Sequence, residues 1–135
     1  MIDSGDRRVE RTFEYLAARD WDSFGALLAA DVERIGPFGE RVVGRDAYVE
    51  LMAAGDQAGA VDDARARTTW DVHRVVYAPD RRSAFARVTA HVPHRGRELR
   101  IDQTLAYELD AHGFISRIEV FWRDPRGRPE QADEA

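Results

Sequence analysis

Gln103 and Arg74 are the side chains of this sequence best suited to chemistry, because each interrupts an apolar stripe. Along residues 99–109 alternate positions read Leu99, Ile101, Gln103, Leu105, Tyr107 and Leu109, with Arg100, Asp102, Thr104, Ala106 and Glu108 between them. This is the period-two pattern of a half-buried strand. An amide on the buried side must find a partner or cost free energy. It ties to backbone or to Arg74, or it donates to a ligand carbonyl or positions a water. Arg74, pointing inward from a neighbouring strand, would clamp a carboxylate or stabilise an oxyanion. Alternatively a bulge turns it to solvent, or a helix carboxylate pairs with it. Together the two would stabilise a developing enolate, so they are the expected catalytic residues.

The elements that must position them follow from hydrophobic spacing. Val9, Phe13, Leu16 and Ala17 predict a first helix. Asp20 predicts the N-cap of a short second helix carrying Trp21, Phe24, Leu27 and Leu28. Gly36-Pro37-Phe38-Gly39 is turn-forming, and Val42-Val43 fits a short strand. Asp46 heads a third helix with Tyr48, Leu51 and Met52, closed near Gly55, after which 55–66 reads as a mobile loop. Strands are predicted at 68–77, 83–92, 99–109 and 115–122, and 124–135 reads as a frayed tail. Helices first and sheet after is an α+β arrangement.

Turn lengths predict the register. Loops at 78–82, 93–96 and 110–113 place Arg74, Ala86, Gln103 and Val120 in one row across the sheet, all facing the helices. The small side chains Ala84, Ala86, Val88 and Ala90 would leave volume for a cavity. Trp70 and Trp122 would wall it, or serve as plain core residues. Tyr15 is either a pocket phenol or a half-buried packing residue. His73, His91, Asp71 and Asp102 fall on the opposite, outer face.

The single-domain length of 135 residues suits a real core, and a net charge of −5 argues against nucleic acid or an anionic membrane as partner. There is no cysteine. No metal site is expected from histidines that lack nearby ligand support. The amino terminus lacks the basic and apolar regions of a signal peptide, and no apolar run approaches a spanning length, so a cytoplasmic protein is expected. No phosphate-binding glycine loop, nucleophile elbow or zinc-binding helix motif is present.

Three local patterns carry a resemblance: Arg19-Asp20-Trp21 between helices, Ile35-Gly36-Pro37-Phe38-Gly39 before Gly44-Arg45, and 110–113 leading to Val120-Phe121-Trp122. With the order of elements, they make residues 7–123 resemble the NTF2-like superfamily. That group includes ketosteroid isomerases, SnoaL-type polyketide cyclases and limonene epoxide hydrolases. The resemblance implies helices packed in the concavity of a strongly curved mixed or antiparallel sheet, the cone also called a cystatin-like roll. It also implies an apolar small-molecule ligand in the cone, with no cofactor, and a homodimer through the sheet face. The isomerase acid, base and phenol positions carry Gly36, Thr12, Leu105, Leu28 and Met52, and the cyclase-type aspartate position carries Val120. The resemblance therefore implies a pocket lined by Thr12, Tyr15, Met52, Trp70, Ala86, Val120 and Trp122 without the usual acids. The expected function is small-molecule binding, extending to positional catalysis of a cyclase- or isomerase-like reaction. The alternative is a non-enzymatic dimeric binding or accessory module.

Overall fold

Val9, Thr12, Phe13 and Leu16 recur at helical spacing and form the buried face of α1 (Arg8–Ala18). In the computed structural model, which describes residues 7–62 and 67–123 (the side chains of 56–62 excepted), two further helices follow. These are α2 (Trp21–Ala26) and α3 (Arg45–Asp62). The Asp20 carboxylate caps α2 as its sequence position predicts, accepting from the Ser23 backbone N–H at 3.1 Å. The strands are β1 (Leu28–Ile35), β2 (Arg41–Val43), β3 (Thr69–Tyr77), β4 (Ser83–His94), β5 (Arg97–Leu109) and β6 (Ile115–Arg123). They form one sheet in the order β2-β1-β6-β5-β4-β3, antiparallel except for the parallel pair β1 and β6. The helices cover one face of this sheet, and the core between them holds Phe24, Leu28, Val32, Ile115 and Ile118, all nearly inaccessible.

Two boundaries differ from the sequence reading. Leu28 opens β1 rather than closing α2, and 28–35 is a strand. Its register slips between Leu28 and Glu33 against β6, which breaks the alternation a strand should show. Helix α3 continues past Gly55 to Asp62, while 63–66 and the tail 124–135 lie outside the described residues.

The register also differs. Arg95 and Gly96 both take positive φ, at 53° and 75°, so β4 and β5 join through a two-residue turn with His94 opposite Arg97. A turn shorter by two residues slides the pairing without changing faces. Gln103 therefore stands opposite Val88 and Leu105 opposite Ala86, while the turn after Leu109 and a bulge between Glu108 and Leu109 set Gln103 opposite Trp122 and Leu105 opposite Val120. A bulge between Val72 and Arg74 has a larger consequence. Trp70 and Val72 pair with Ala90 and Val88 as predicted, but beyond the bulge Val75 and Tyr77 face inward and Arg74 turns to the exposed outer face.

Tyr77 shows how the sheet holds α1. Arg7 at the N-cap provides no side-chain bond for the helix start. The Tyr77 hydroxyl instead accepts from the Val9 backbone N–H at 3.0 Å and donates to Glu10 Oε1 at 2.6 Å. Replacing Tyr77 with phenylalanine leaves that buried N–H unpaired. The expected loss is about 1–3 kcal/mol of stability, read from urea denaturation; a change near zero would show that water replaces the hydroxyl.

Candidate functional site

One inner row crosses all six strands: Tyr77, Ala84, Tyr107, Ile118, Arg34 and Val42. Arg34 reaches this row because β1 lies parallel to β6, with Arg34 opposite Ile118. It thus projects a guanidinium toward the helices. There it lies 5.9 Å from the centre of the Tyr48 ring, in a cation–π arrangement. Burial pushes the Tyr48 phenol above its ordinary range, and the charge of Arg34 pulls only partly against this. Tyr107 is pushed well up by burial too. The buried Thr12 hydroxyl donates to the Val9 carbonyl at 2.6 Å. Both phenols are protonated at neutral pH.

A cavity of about 70 Å³ opens among these groups. Its polar lining is Arg34, Gln103, Thr12, Tyr48 and Tyr107, and its apolar lining includes Phe13, Phe24, Met52, Trp70, Leu105 and Val120. No carboxylate or histidine is among the described residues that line it. Arg34, Gln103 and Tyr48 present N–H or O–H donors, so the cavity favours an acceptor such as a carbonyl or carboxylate oxygen. The space is small, since an apolar cavity of about 150 Å³ is what holds benzene. A ring-sized ligand therefore requires Met52 or another lining side chain to give way.

Of the residues singled out in the sequence, Gln103, Trp70, Val120, Thr12 and Met52 meet at this cavity. Ala86 is fully buried beneath the helices but does not line it, and Tyr15 packs at the core's edge. Trp122 is 45% exposed and meets Phe38 edge-on at 5.3 Å instead of walling the cavity. Arg74 is outside altogether, across the sheet from the helices. The inward guanidinium is Arg34, which sequence reasoning missed because 28–35 was not recognised as a strand. An arginine two residues after the buried Val32 was the available signal.

The outer face carries a separate polar network. The Thr89 hydroxyl donates to Asp102 Oδ1 at 2.9 Å and meets His73 Nε2 at 2.7 Å. His91 bridges Asp71 and Glu98 at 2.8 and 2.9 Å, and the bonds to Asp71 and then Glu98 hold its ring above the usual value of 6.5. The folded state thus favours the charged imidazolium. That contribution is complete below about pH 6.5 and is lost as pH rises through the higher folded-state value. The difference in melting temperature between the native chain and His91→Gln should therefore shrink from pH 6 to pH 8.5. A constant difference would contradict the ion pairs. Among the described residues no group of three or more histidine or acidic side chains is placed to hold a metal ion, and no helix is long and apolar enough to cross a membrane.

Residues 9–118 match the SnoaL-like domain family. The chain belongs to that family. Among solved structures, the SnoaL-like domain is similar to a putative ketosteroid isomerase from Kribbella flavida. The TM-score is 0.72 at 24% identity, covering 93% of this chain and 82% of that one. It is also similar to a Mycobacterium tuberculosis protein in complex with estradiol-17beta-hemisuccinate, with a TM-score of 0.66 at 17% identity, covering 86% and 91%. These likenesses establish the NTF2-like fold. A curated relative, named kynurenine formamidase, from Sphingopyxis alaskensis is 33% identical over 93 residues, 68% of this chain. The SnoaL-like domain spans only 39% of that relative's length.

Proposed function

We propose that this protein binds a small, largely apolar molecule in the cone and holds one of its oxygen atoms with Arg34, assisted by Tyr48 and Gln103. The observation that carries this reading is the inward guanidinium of Arg34 at an otherwise mostly apolar cavity. A partly buried cation without a carboxylate in its cavity gains from an oxygen acceptor. Protonated phenols and a guanidinium would also polarise a carbonyl and stabilise an enolate, the electrostatic part of a cyclase- or isomerase-like reaction. The described lining supplies no group suited to act as a base near neutral pH, so rate enhancement would rest on positioning and charge stabilisation. That the similar Mycobacterium tuberculosis protein is in complex with estradiol-17beta-hemisuccinate supports a small organic ligand, although the 70 Å³ cavity here favours a single ring over a steroid.

The test is an NMR titration with cyclohex-2-enone, a one-ring carbonyl compound. Saturable shifts at the Trp70 indole N–H and the Gln103 side-chain amide are expected. Shifts scattered over the surface, with none at these groups, would overturn the reading.

A second reading is a non-enzymatic homodimer joined through the outer sheet face. It is favoured by Phe85 and Phe121, which are 53% and 49% exposed there. Sedimentation that finds only monomer at high concentration would reject it.

A further inference from the structure

One part of the outer face gathers arginines from four strands, on a chain whose net charge is −5. Arg74 and Arg87 stand directly opposite each other on β3 and β4, and the bulge after Val72 is what brings Arg74 to that face. Like charges directly opposite in a sheet destabilise it. Beside Arg87 lies a groove of about 490 Å³ lined by His73, Arg87, Arg100, Asp102, Phe121 and Arg123. Among the described residues, Arg74, Arg87, Arg100 and Arg123 form no ion pair.

The acids that might neutralise them are already engaged. Asp71 and Glu98 hold His91, and Asp102 accepts from Thr89. Thr89 is 2% exposed, so the chain His73–Thr89–Asp102 forms a fixed floor spanning three strands. Asp102 stands opposite Arg123 on β6 and Thr89 on β4, and Arg100 precedes it by one outer-face position on β5. Strands lie about 4.8 Å apart and two residues along a strand span about 6.7 Å, so Arg87 and Arg123 start about 12 Å apart diagonally across the groove, within reach of a common anion for two long side chains. The half-exposed ring of Phe121 lies in the same outward row as Thr104, Arg87 and Arg74.

We infer that this groove binds an oxyanion, the phosphate or carboxylate group of a small organic molecule, between the forks of Arg87, Arg100 and Arg123. Guanidinium groups bind such oxygens in bidentate fashion. Phe121 offers an apolar flank to the rest of the ligand, and Arg74 adds field without lining the groove. The groove lies on the opposite face of the sheet from the cone and shares only Gln103 with it.

The experiment follows the arginine Nε–Hε resonances at low ionic strength while inorganic phosphate, and separately benzoate, is added to the full chain. Sodium chloride at matched ionic strength is the control. Saturable shifts at Arg87, Arg100 and Arg123 are expected with one or both oxyanions. Arg87→Ala and Arg123→Ala should each weaken binding at least tenfold, and Arg34→Met should leave it unchanged. Arg87 and Arg123 are exposed, and melting curves of the two variants verify that folding is retained. A response equal to that of chloride would overturn the proposal, as would shifts confined to Arg34. A stronger response to phosphate than to benzoate assigns a phosphate ligand, and the reverse a carboxylate.

Discussion

Replacing Arg34 with methionine is expected to weaken cyclohex-2-enone binding by tenfold to a hundredfold. Methionine retains much of the length and all of the apolar character of the arginine stem, so the walls formed by Trp70, Leu105 and Val120 stay in place. What disappears is the fork of donors and the charge. A hydrogen bond to a charged group contributes about 1.5–3 kcal/mol, and each 1.4 kcal/mol is about a factor of ten in affinity. Tyr48 also loses the cation that partly offsets its burial, so its hydroxyl becomes a weaker acid still and a poorer donor. Arg34→Lys should recover only part of the binding, because an ammonium is a compact charge without the planar fork. Calorimetric titration reads these differences. Equal affinity for all three chains would mean that Arg34 serves the fold alone.

Phe24→Ala is expected to cost about 3–5 kcal/mol of stability, the range for removing a buried aromatic ring. Phe24 is 1% exposed and meets Tyr48 edge-on at 5.4 Å, a geometry that adds to the area it buries. Its position beside the cavity argues for the upper part of the range. The space it leaves merges with the existing 70 Å³, and surroundings that already tolerate a void have little tendency to collapse into a larger one. The same substitution should admit larger rings. A ligand that fills the new space then restores stability in proportion to its occupancy. Urea denaturation with and without benzene measures both effects. A loss below about 1 kcal/mol would show that the helices close over the gap.

Much of the fold is written in local patterns that a single sequence exposes. The apolar positions of α1 lie at uninterrupted helical spacing, Asp20 has the chemistry of a cap, and 99–109 alternates between an apolar face, broken only by Gln103, and a mostly polar one. The site was less legible because it depends on interruptions of those patterns. The register slip in β1 hides the alternation of 28–35 among residues that also suit a helix, and with it the inward direction of Arg34. One extra residue near His73 reverses every later side chain of β3. That is why Arg74 faces solvent, while Val75 and Tyr77, not singled out beforehand, face the helices. Arg95 is an unusual residue for a left-handed position. A two-residue turn there had no asparagine or glycine signal at its first position, and the pairing of Gln103 was displaced accordingly. Gln103 nevertheless stayed on the inner face, because a slide of two residues preserves the alternation.

The central claim is that the cone holds a ligand oxygen at Arg34. A crystal structure of the protein grown with cyclohex-2-enone tests it most directly. The ring is expected between Trp70 and Val120, with its carbonyl oxygen within hydrogen-bond distance of the Arg34 guanidinium and Met52 displaced to make room. A ring bound elsewhere, or one in the cone with its oxygen turned away from Arg34, would contradict it.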